Sequence, residues 1–386
     1  MIAIILAAWE GHRLKPLSNT MPKPMIPICG KSIMEHNIEK IYKYVSEIII
    51  VVKYKKEVII DALKENYKWT KITYHEQNDE KWTAAAIRWI DRWINDILIL
   101  NGDSLFDEKD INNIIHFDGY WSLVKEVDDP KKYWIYKQNS KGCALEIIEK
   151  PEIFVWNLAN VWVYKFNQEI IEISKNVPLS QRGEYEITDS INEFLKRYDV
   201  HLIPLKGKFI DVWYPWDILW ANKHLLETSK ESIILWEIEP WVIIEWKIIL
   251  QEWVILKSGS SLQWNIFIGK NTFIWSNVSL KWTTVIWENC HIWDEVEINN
   301  SSLWNYTKVE NGSYIWYSIL WNDVIIGEKC ITKDEKEDNS SIHVMIKWEC
   351  IDSKIHKLWV IIWSYTKINS QTLTLPGKII ENNCIL

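Results

Sequence analysis

The second half of the chain carries a six-residue period. Large aliphatic residues recur at every sixth position, at Ile268, Ile274, Leu280, Ile286 and Ile292. Four residues after each of them lies a small or β-branched residue, at Thr272, Val278, Thr284, Cys290 and Val296. Two inward positions in every six residues, one large and one small, are typical of a coil with three short flat faces. The period therefore predicts a hexapeptide parallel β-helix from about residue 233 onward.

Tryptophan follows these aliphatic positions where a tight corner favours glycine. The chain has 27 Trp and only 12 Gly, whereas an average chain has about 7% Gly. Gly269 follows Ile268, and the equivalent corner residues of other repeats are Trp275, Trp287 and Trp293. Glycine tolerates such a corner, whereas an indole crowds the neighbouring coils. We therefore hypothesise that most of the Trp are glycines, encoded by UGA codons that the source organism reads as glycine and that have been translated as tryptophan.

The first half alternates short apolar runs with amphipathic segments. Strands are predicted at Ile2–Ala7, Ile48–Val52, Ile97–Leu100 and Phe209–Val212. Helices are predicted at Ser32–Tyr44, Lys56–Tyr67, Thr83–Ile94 and Trp216–Ser229. Strands and helices in alternation are typical of a mainly parallel sheet covered on both faces, whose active site lies at the carboxyl ends of the strands. The sequence thus predicts an α/β domain over residues 1–228 and a β-helix domain over residues 233–386.

Composition excludes several classes of partner. The net charge of −8 argues against a nucleic-acid or anionic-membrane surface. Six Cys without a CxxC pair favour reduced thiols over a zinc site or a disulfide framework. The apolar start MIAIILAA has no basic residues, so it indicates a buried strand instead of a signal peptide, and no apolar run is long enough to cross a membrane. We expect a cytoplasmic protein.

A candidate phosphate loop follows the first strand. The segment LAAWEGHRLKP, with glycine in place of Trp9, has the form G-x-G-x-x-R. Such a pattern is a weak signal by itself, because many glycine loops are only tight turns. Two nearby cations strengthen it, Arg13 in the loop and Lys23 between two prolines. Backbone N–H groups of a glycine loop cradle a polyphosphate, and cations neutralise its charge.

Two carboxylates follow apolar strands. Asp103 lies in ILILNGDSLF and Asp211 in KFIDVWYPWD. Alone, an Asp at a strand end is more often a turn former or a helix cap. Two carboxylates together are able to share one Mg²⁺, with phosphate oxygens as its further ligands. Because a phosphate loop is also predicted, the pair indicates a magnesium site.

These motifs resemble those of the sugar-1-phosphate nucleotidyltransferases. The matching segments, in the family's order, are LAAWEGHRLKPL, PKPMIPICGK, NGDSLF, EKP with NLANVWVY, RGEYEITDSI and FIDVWYPWDILWANK. The resemblance covers nearly the whole chain, and is nearest to the two-domain forms that make UDP- or dTDP-sugars and carry a C-terminal left-handed β-helix. Tryptophan stands at family glycine positions at Trp9, Trp82, Trp134, Trp162 and Trp213. Trp216 matches a tryptophan of the family.

The resemblance implies a set of site residues. Arg13, Lys23 and Asp103 are the expected catalytic residues, and Asp103 and Asp211 are the expected Mg²⁺ ligands. The expected nucleotide contacts are Leu6, Ala7, Ala8, Trp9, Glu10, Gln77, Trp82 and Thr83. The expected contacts to the sugar phosphate are Asn101, Trp134, Glu149, Lys150 and Asn157. His12 departs from the family's usual threonine without removing a charge.

The implied reaction is Mg²⁺-dependent transfer of a nucleotidyl group from UTP or dTTP to a sugar 1-phosphate, with release of pyrophosphate. Gln77 favours a pyrimidine base, while glucose 1-phosphate and N-acetylglucosamine 1-phosphate stay open as acceptors. One alternative is a non-catalytic regulatory subunit of the same architecture. Another is a bifunctional enzyme with acetyl transfer in the β-helix, which Asn311 weakens because it stands where a catalytic histidine is expected. We expect a homo-oligomer formed through the β-helix.

Overall fold

The computed structural model describes residues 1–77, 85–88, 90, 92–180, 183, 185–229, 232–234, 238–333, 335–358 and 360–386. They form two compact units. The first comprises Met1–Glu10, Met21–Ile26 and Ser32–Asp211. The second comprises Gly11–Thr20, Pro27–Lys31 and Val212–Leu386. The predicted boundary between residues 228 and 233 stays a prediction.

The described residues up to 229 contain both helices and strands. The strands are β1 (Ile2–Ala7), β2 (Pro27–Ile28), β3 (Lys31–Ser32), β4 (Glu47–Val52), β5 (Asn66–Tyr67), β6 (Thr70–Glu76), β7 (Ile97–Asn101), β8 (Ser104–Leu105), β9 (Tyr120–Glu126), β10 (Trp134–Gln138), β11 (Ala144–Glu149), β12 (Leu158–Phe166), β13 (Val200–Pro204) and β14 (Ile210–Asp211). The α-helices are α1 (Ile33–Ile41), α2 (Lys56–Leu63), α3 (Ala85–Arg88), α4 (Glu108–Ile115), α5 (Glu169–Asn176), α6 (Ile187–Leu195) and α7 (Asp217–Thr228). Short 3-10 helices lie at His12–Leu14, Leu17–Asn19, Lys23–Met25 and Pro130–Lys132.

The first unit is built on one large sheet. Its strand order is β11-β10-β12-β7-β1-β4-β6-β5, and β9 pairs with both β12 and β13. Strands β7, β1, β4 and β6 are parallel neighbours, whereas β12 runs antiparallel to β7. The mainly parallel α/β sheet predicted from the sequence is confirmed, with an antiparallel extension on one side.

Apolar residues fill both faces of this sheet. On one face Ile4 and Ile99 pack in a core that includes Phe194 of α6. On the other face Ile5 and Leu100 belong to a second core. Strands buried on both faces need continuous apolar sequence instead of alternation. This is why IAIILA and ILILN fold as central strands.

Several predicted elements differ from the observed ones; the predicted helix Ser32–Tyr44, for example, ends at Ile41. The predicted helix Lys56–Tyr67 ends at Leu63, and Tyr67 lies in β5, which pairs antiparallel with β6. The predicted helix Thr83–Ile94 is helical at Ala85–Arg88 but not at 92–94, and Thr83 lies outside the described residues. The predicted strand Phe209–Val212 is only Ile210–Asp211, and it pairs with β8 outside the large sheet.

The second unit contains stacked parallel strands in three sheets. The first face stacks Ile233–Ile234, Ile248–Leu250, Ile266–Ile268, Thr284–Ile286, Ser302–Leu303, Ile319–Leu320, Val360–Ile362 and Lys378–Ile380. The second face stacks Ile243–Glu245, Ser261–Gln263, Ser279–Lys281, Glu297–Asn299, Tyr314–Trp316, Ile331–Thr332 and Leu373–Thr374. The third face stacks Ile255–Leu256, Phe273–Ile274, His291–Ile292, Lys308–Val309, Ile325–Ile326 and Lys367–Ile368.

The six-residue period explains these three faces. Ile266 pairs with Thr284, eighteen residues further on, so one coil of the stack spans three six-residue repeats. The predicted large positions are buried, at Ile268, Ile274, Leu280, Ile286 and Ile292. The predicted small positions are buried as well, at Thr272, Val278, Thr284, Cys290 and Val296. The stack is consistent with a left-handed β-helix, and the predicted fold class is confirmed.

One excursion interrupts the stack. Thr332 pairs with Thr374, forty-two instead of eighteen residues further on, so the chain leaves the regular coils between the strands Ile331–Thr332 and Val360–Ile362. Within this excursion His343–Ile346 pairs antiparallel with Glu349–Asp352 to form a hairpin. The period did not predict this hairpin, because the six-residue pattern ends before it.

Tryptophans occupy a corner of the β-helix that has little space. Gly269 and Trp287 each donate a backbone hydrogen bond to the next coil, Gly269 to Ile286 and Trp287 to Leu303. A Cβ at Gly269 would lie 2.8 Å from the Trp287 carbonyl carbon, closer than Cβ atoms approach other non-bonded heavy atoms in folded proteins. In the same column, the ring centroids of Trp304 and Trp321 lie 2.5 Å apart, whereas aromatic pairs pack at about 4.5–7 Å. The corner therefore fits glycine better than tryptophan.

The other two tryptophans of this sequence pattern lie at a different corner. Trp275 and Trp293 follow strands of the third face, and the Trp275 N–H donates to the Ile292 carbonyl. Among the described residues, seven Trp have φ between 55° and 85°, at Trp162, Trp241, Trp246, Trp253, Trp264, Trp282 and Trp348. That left-handed region favours glycine. The structure supports the glycine hypothesis, which stays a hypothesis.

No helix among the described residues has the length and apolarity needed to cross a membrane.

Candidate active site

The carboxyl ends of four parallel strands meet at one edge of the large sheet. β1 ends at Ala7, β6 is followed by Gln77, and β7 ends at Asn101. The Gln77 side chain is buried, and its backbone N–H donates to the Val52 carbonyl at 3.0 Å. This edge of the sheet therefore holds Ala7 and Gln77, which were predicted to contact the nucleotide, and Asn101, which was predicted to contact the sugar phosphate.

Gly102 allows the backbone to turn closely over β1. Its N–H donates to the Leu6 carbonyl at 2.8 Å, and a Cβ at this position would lie 3.1 Å from the same carbonyl oxygen. This close approach fixes where the chain leaves β7. Asp103, the next residue, is thereby held at the edge of the sheet.

Lys23 forms ion pairs with both predicted metal ligands, Asp103 and Asp211. Its Nζ lies 2.8 Å from Asp103 Oδ2 and 3.0 Å from Asp211 Oδ1. The side chains of Lys23 and Asp103 are largely buried, and that of Asp211 is 23% exposed. Burial lowers the pKa of Lys23, but the charges and hydrogen bonds of both carboxylates outweigh it and hold this pKa above its ordinary value. The ammonium is therefore fully charged at neutral pH.

Local structure places each member of this trio. Lys23 opens the 3-10 helix Lys23–Met25, where the Met25 N–H donates to the Pro22 carbonyl at 2.9 Å. Asp211 reaches the site through the antiparallel pair of β14 with β8, in which Asp211 stands opposite Ser104. The strand predicted at Phe209–Val212 therefore does position Asp211, although not as part of the parallel sheet.

Three predicted sugar-phosphate contacts form one cluster. Trp134 of β10 stands opposite Glu149 of β11. Lys150 Nζ lies 3.8 Å from Glu149 Oε1 and 5.3 Å from the centroid of the Trp134 ring. Trp134 also packs edge-on against Trp162, with ring centroids 5.1 Å apart. The two indoles fill space that would be open with glycine at both positions.

The remaining predicted contacts are more dispersed. Asn157 lies just before β12, and its carbonyl accepts a hydrogen bond from the Val127 N–H at 3.0 Å. Ala8, Trp9 and Glu10 follow β1 and are partly buried. Trp82 and Thr83, predicted to contact the nucleotide, lie outside the described residues.

Arg13 belongs to the second unit. It is exposed, and its guanidinium carbon lies 4.9 Å from the ring centroid of Trp213 and 5.9 Å from that of Tyr214. The backbone N–H groups of Trp213 and Tyr214 donate to one carboxylate oxygen of Asp217, at 2.8 and 2.7 Å. These bonds fix the turn before α7, against which Arg13 stacks.

Sequence reasoning missed Asn37 of α1. This side chain is buried, and its Nδ2 donates to the Ser104 carbonyl at 2.7 Å. It holds the segment directly after Asp103. The signal was available, because Asn37 interrupts the apolar stripe of Met34, Ile38 and Ile41 on the buried face of α1.

The oxygen-rich site fits a hard divalent cation. Asp103 and Asp211 share one cationic partner, and the buried Asn101 Oδ1 has no hydrogen-bond partner among the described residues. Across all the residues that the structure describes, no cluster of three or more His, Cys, Asp or Glu side chains is arranged to hold a metal ion by itself. Two carboxylates supplemented by substrate oxygens are the donor set that Mg²⁺ accepts.

Comparisons with known proteins show the family to which the chain belongs. The nucleotidyl transferase family matches residues 2–230, and the chain belongs to this family. It is 36% identical to the "Bifunctional protein GlmU" of Methanocaldococcus jannaschii over 100% of the chain and 93% of that protein. It is 34% identical to the "Bifunctional sugar-1-phosphate nucleotidylyltransferase/acetyltransferase" of Sulfurisphaera tokodaii over 98% of the chain and 93% of that protein.

A solved structure supports the fold. The crystal structure of UDP-glucose pyrophosphorylase complexed with UDP-glucose matches with a TM-score of 0.53 and 20% identity. The match covers 59% of this chain and 99% of the other.

Proposed function

We propose that the protein transfers a nucleotidyl group from UTP or dTTP to a sugar 1-phosphate, with Mg²⁺, releasing pyrophosphate and forming a nucleotide sugar. The observation that carries the proposal is Lys23 between Asp103 and Asp211 at the carboxyl edge of the sheet. This arrangement offers one cation for phosphates and two carboxylates for a metal. The family and the name of the Sulfurisphaera relative support the reaction class.

The chemistry requires positioning more than covalent catalysis. An oxygen of the sugar phosphate attacks the α-phosphorus of the nucleotide, a new P–O bond forms, and the bond to the pyrophosphate breaks. The attacking phosphate is already ionised at neutral pH, so no general base is needed. Asp103 and Asp211 would hold the Mg²⁺, which neutralises phosphate charge. Lys23 and Arg13 would stabilise the extra negative charge of the transition state.

The specificity residues follow from their places in the fold. We propose that Gln77, with Trp82 and Thr83, contacts the base, and that Leu6 to Glu10 line the nucleotide. The cluster of Trp134, Glu149 and Lys150 would face the sugar phosphate, together with Asn101 and Asn157. Gln77 supports this role because its buried position at the end of β6 keeps a polar amide at the edge of the sheet.

Acetyl transfer in the β-helix is the second candidate function. Two relatives carry "bifunctional" in their names and match over nearly the whole chain. Asn311 cannot take a proton at neutral pH, so this chain lacks the expected base at that position. His343 and His356 lie in the excursion, where their Nδ1 atoms contact backbone carbonyls at 3.3 and 2.9 Å. We therefore favour a structural role for the β-helix, with self-assembly testable by light scattering.

The direct test is a screen of pyrophosphate release with Mg²⁺. Four nucleoside triphosphates are paired with glucose 1-phosphate and N-acetylglucosamine 1-phosphate. Two versions of the chain are compared: the printed chain, and a glycine version in which every Trp except Trp216 is replaced by Gly. We expect release with UTP or dTTP. A well-folded glycine version that releases nothing from any pair would contradict catalysis and favour the regulatory subunit.

A further inference from the structure

Lys23 holds the place where the proposed cation would bind. Its Nζ is within 3.0 Å of one carboxylate oxygen each of Asp103 and Asp211. Magnesium contacts carboxylate oxygens at about 2.0–2.1 Å, so a metal bound to one oxygen of each carboxylate would lie within a few ångströms of this ammonium. Two cations that close repel each other strongly. One of the two cations must therefore leave before the other binds both carboxylates.

The ammonium of Lys23 and a divalent cation balance the two carboxylates to different extents. One ammonium leaves the trio with a net charge of −1, because two carboxylates face it. Two nearby carboxylates without a cation repel each other, so the ammonium is a required counter-ion when no metal is bound. A divalent cation balances both carboxylates, but it must first displace a buried, doubly paired lysine.

The phosphates of a bound nucleotide would give the displaced lysine a new anionic partner. A buried ammonium without an anion is strongly disfavoured, so metal alone displaces Lys23 only at a high cost. The phosphates of a nucleotide remove that cost by accepting the ammonium. The side chain alone has to move, since the Pro22–Met25 turn holds the backbone.

We propose that Lys23 is an exchangeable counter-ion: it excludes a free divalent cation from Asp103 and Asp211, and it moves to the phosphates when a metal–nucleotide complex arrives. This inference rests on the proposed function for the nucleotide, but the exclusion of free metal stands on the geometry alone. This movement of Lys23 makes metal binding and nucleotide binding cooperative. The protein then takes up the two together and binds little free cation.

The test measures the binding of Mn²⁺ alone, as a paramagnetic substitute for Mg²⁺, by the electron paramagnetic resonance signal of the free ion. The variants are Lys23→Met, Lys23→Arg and Lys43→Met, made in both the printed chain and the glycine version. Lys43→Met is the matched control, because Lys43 pairs with Glu108 on the surface and its loss changes the total charge equally. We expect Lys23→Met to bind Mn²⁺ at least tenfold more tightly than the parent. Lys23→Arg and Lys43→Met should match the parent.

Equal Mn²⁺ affinity in the parent and Lys23→Met would overturn the proposal. If Lys23→Met unfolds without metal, circular dichroism decides: recovery of the fold on adding Mn²⁺ supports the exchange, and no recovery overturns it. Pyrophosphate release is measured separately on the parent. Tight binding by Lys23→Met with no release by the parent would leave the counter-ion standing and reject only the proposed function.

Discussion

At the scale of single residues, the pair Trp304 and Trp321 in the β-helix departs from ordinary aromatic packing. Trp304 and Trp321 are buried with ring centroids 2.5 Å apart. Overpacking of a core costs about 1–3 kcal/mol per site. We predict that the double variant Trp304→Gly, Trp321→Gly of the printed chain melts several degrees higher than the printed chain, as measured by calorimetry.

Trp216 is the matched control for that prediction. It is buried, and its ring stacks on Tyr214 with centroids 4.7 Å apart. Removing a well-packed Trp costs about 3–5 kcal/mol, so Trp216→Gly should lower the melting temperature. If the melting temperature of the Trp304→Gly, Trp321→Gly variant falls as far as that of Trp216→Gly, the glycine hypothesis is wrong at those two positions.

The buried Lys40 leads to a prediction of how the stability of the protein depends on pH. Burial lowers the pKa of Lys40 to about 8, against the opposing charges of Asp107, Glu108 and Glu39. The unfolded chain therefore binds more protons than the folded one between pH 8 and about 10.4, and stability rises with pH in this window. We predict that Lys40→Met removes this rise, measured as the melting temperature from pH 7.5 to 10.

The exposed Lys43 serves as the control for Lys40. Lys43→Met removes the same charge from the same helix region without the burial, and it should keep the rise between pH 8 and 10. A rise that survives unchanged in Lys40→Met would show that other groups cause it.

The sequence predicted the members of the site better than their arrangement. Lys23, Asp103 and Asp211 were each expected near phosphate or metal, and they lie together. That one ammonium bridges both carboxylates could not be predicted, because it depends on the pair of β14 with β8. Whether these residues perform the proposed roles stays a prediction.

At the scale of elements, buried polar contacts decide where the site lies. The Asn37 amide of α1 holds the Ser104 carbonyl at 2.7 Å. Leaving a buried carbonyl unpaired costs about 1–3 kcal/mol. We predict that Asn37→Leu lowers the melting temperature and the rate of pyrophosphate release together, since β8 carries the residue after Asp103 and pairs with β14.

An exposed asparagine provides the comparison. Asn113 on α4 is exposed, and Asn113→Leu should change neither quantity. A variant at Asn37 that keeps full activity would show that α1 does not position Asp103.

Element prediction succeeded where a period was continuous. The central strand β1 is apolar throughout, and β7 is apolar up to its last residue, Asn101. The six-residue repeat correctly predicted inward positions of the β-helix. Element prediction failed where tertiary pairing overrode local pattern. Tyr67 continues an apparent helix but pairs with Thr70 in a hairpin, and the excursion after Thr332 has no six-residue pattern.

At the scale of the whole molecule, the chain joins two folds that the sequence distinguishes by period. A mixed helix–strand pattern gave the α/β sheet, and a six-residue pattern gave the β-helix. The sequence offered no signal that residues 11–20 and 27–31 group with the second unit. Short segments between two strands carry too few residues for a period, so their grouping depends on contacts that only the folded chain shows.

We propose that Asp103, together with Lys23, serves nucleotidyl transfer, and one assay tests the role of Asp103 most directly. Pyrophosphate release with Mg²⁺, UTP or dTTP and a sugar 1-phosphate is compared between the glycine version and its Asp103→Asn variant. We predict release by the parent and a loss of about 100-fold or more in the variant, the scale of a lost electrostatic contact to a transition state. Equal rates in the two proteins, with both folded, would contradict the assignment of this site.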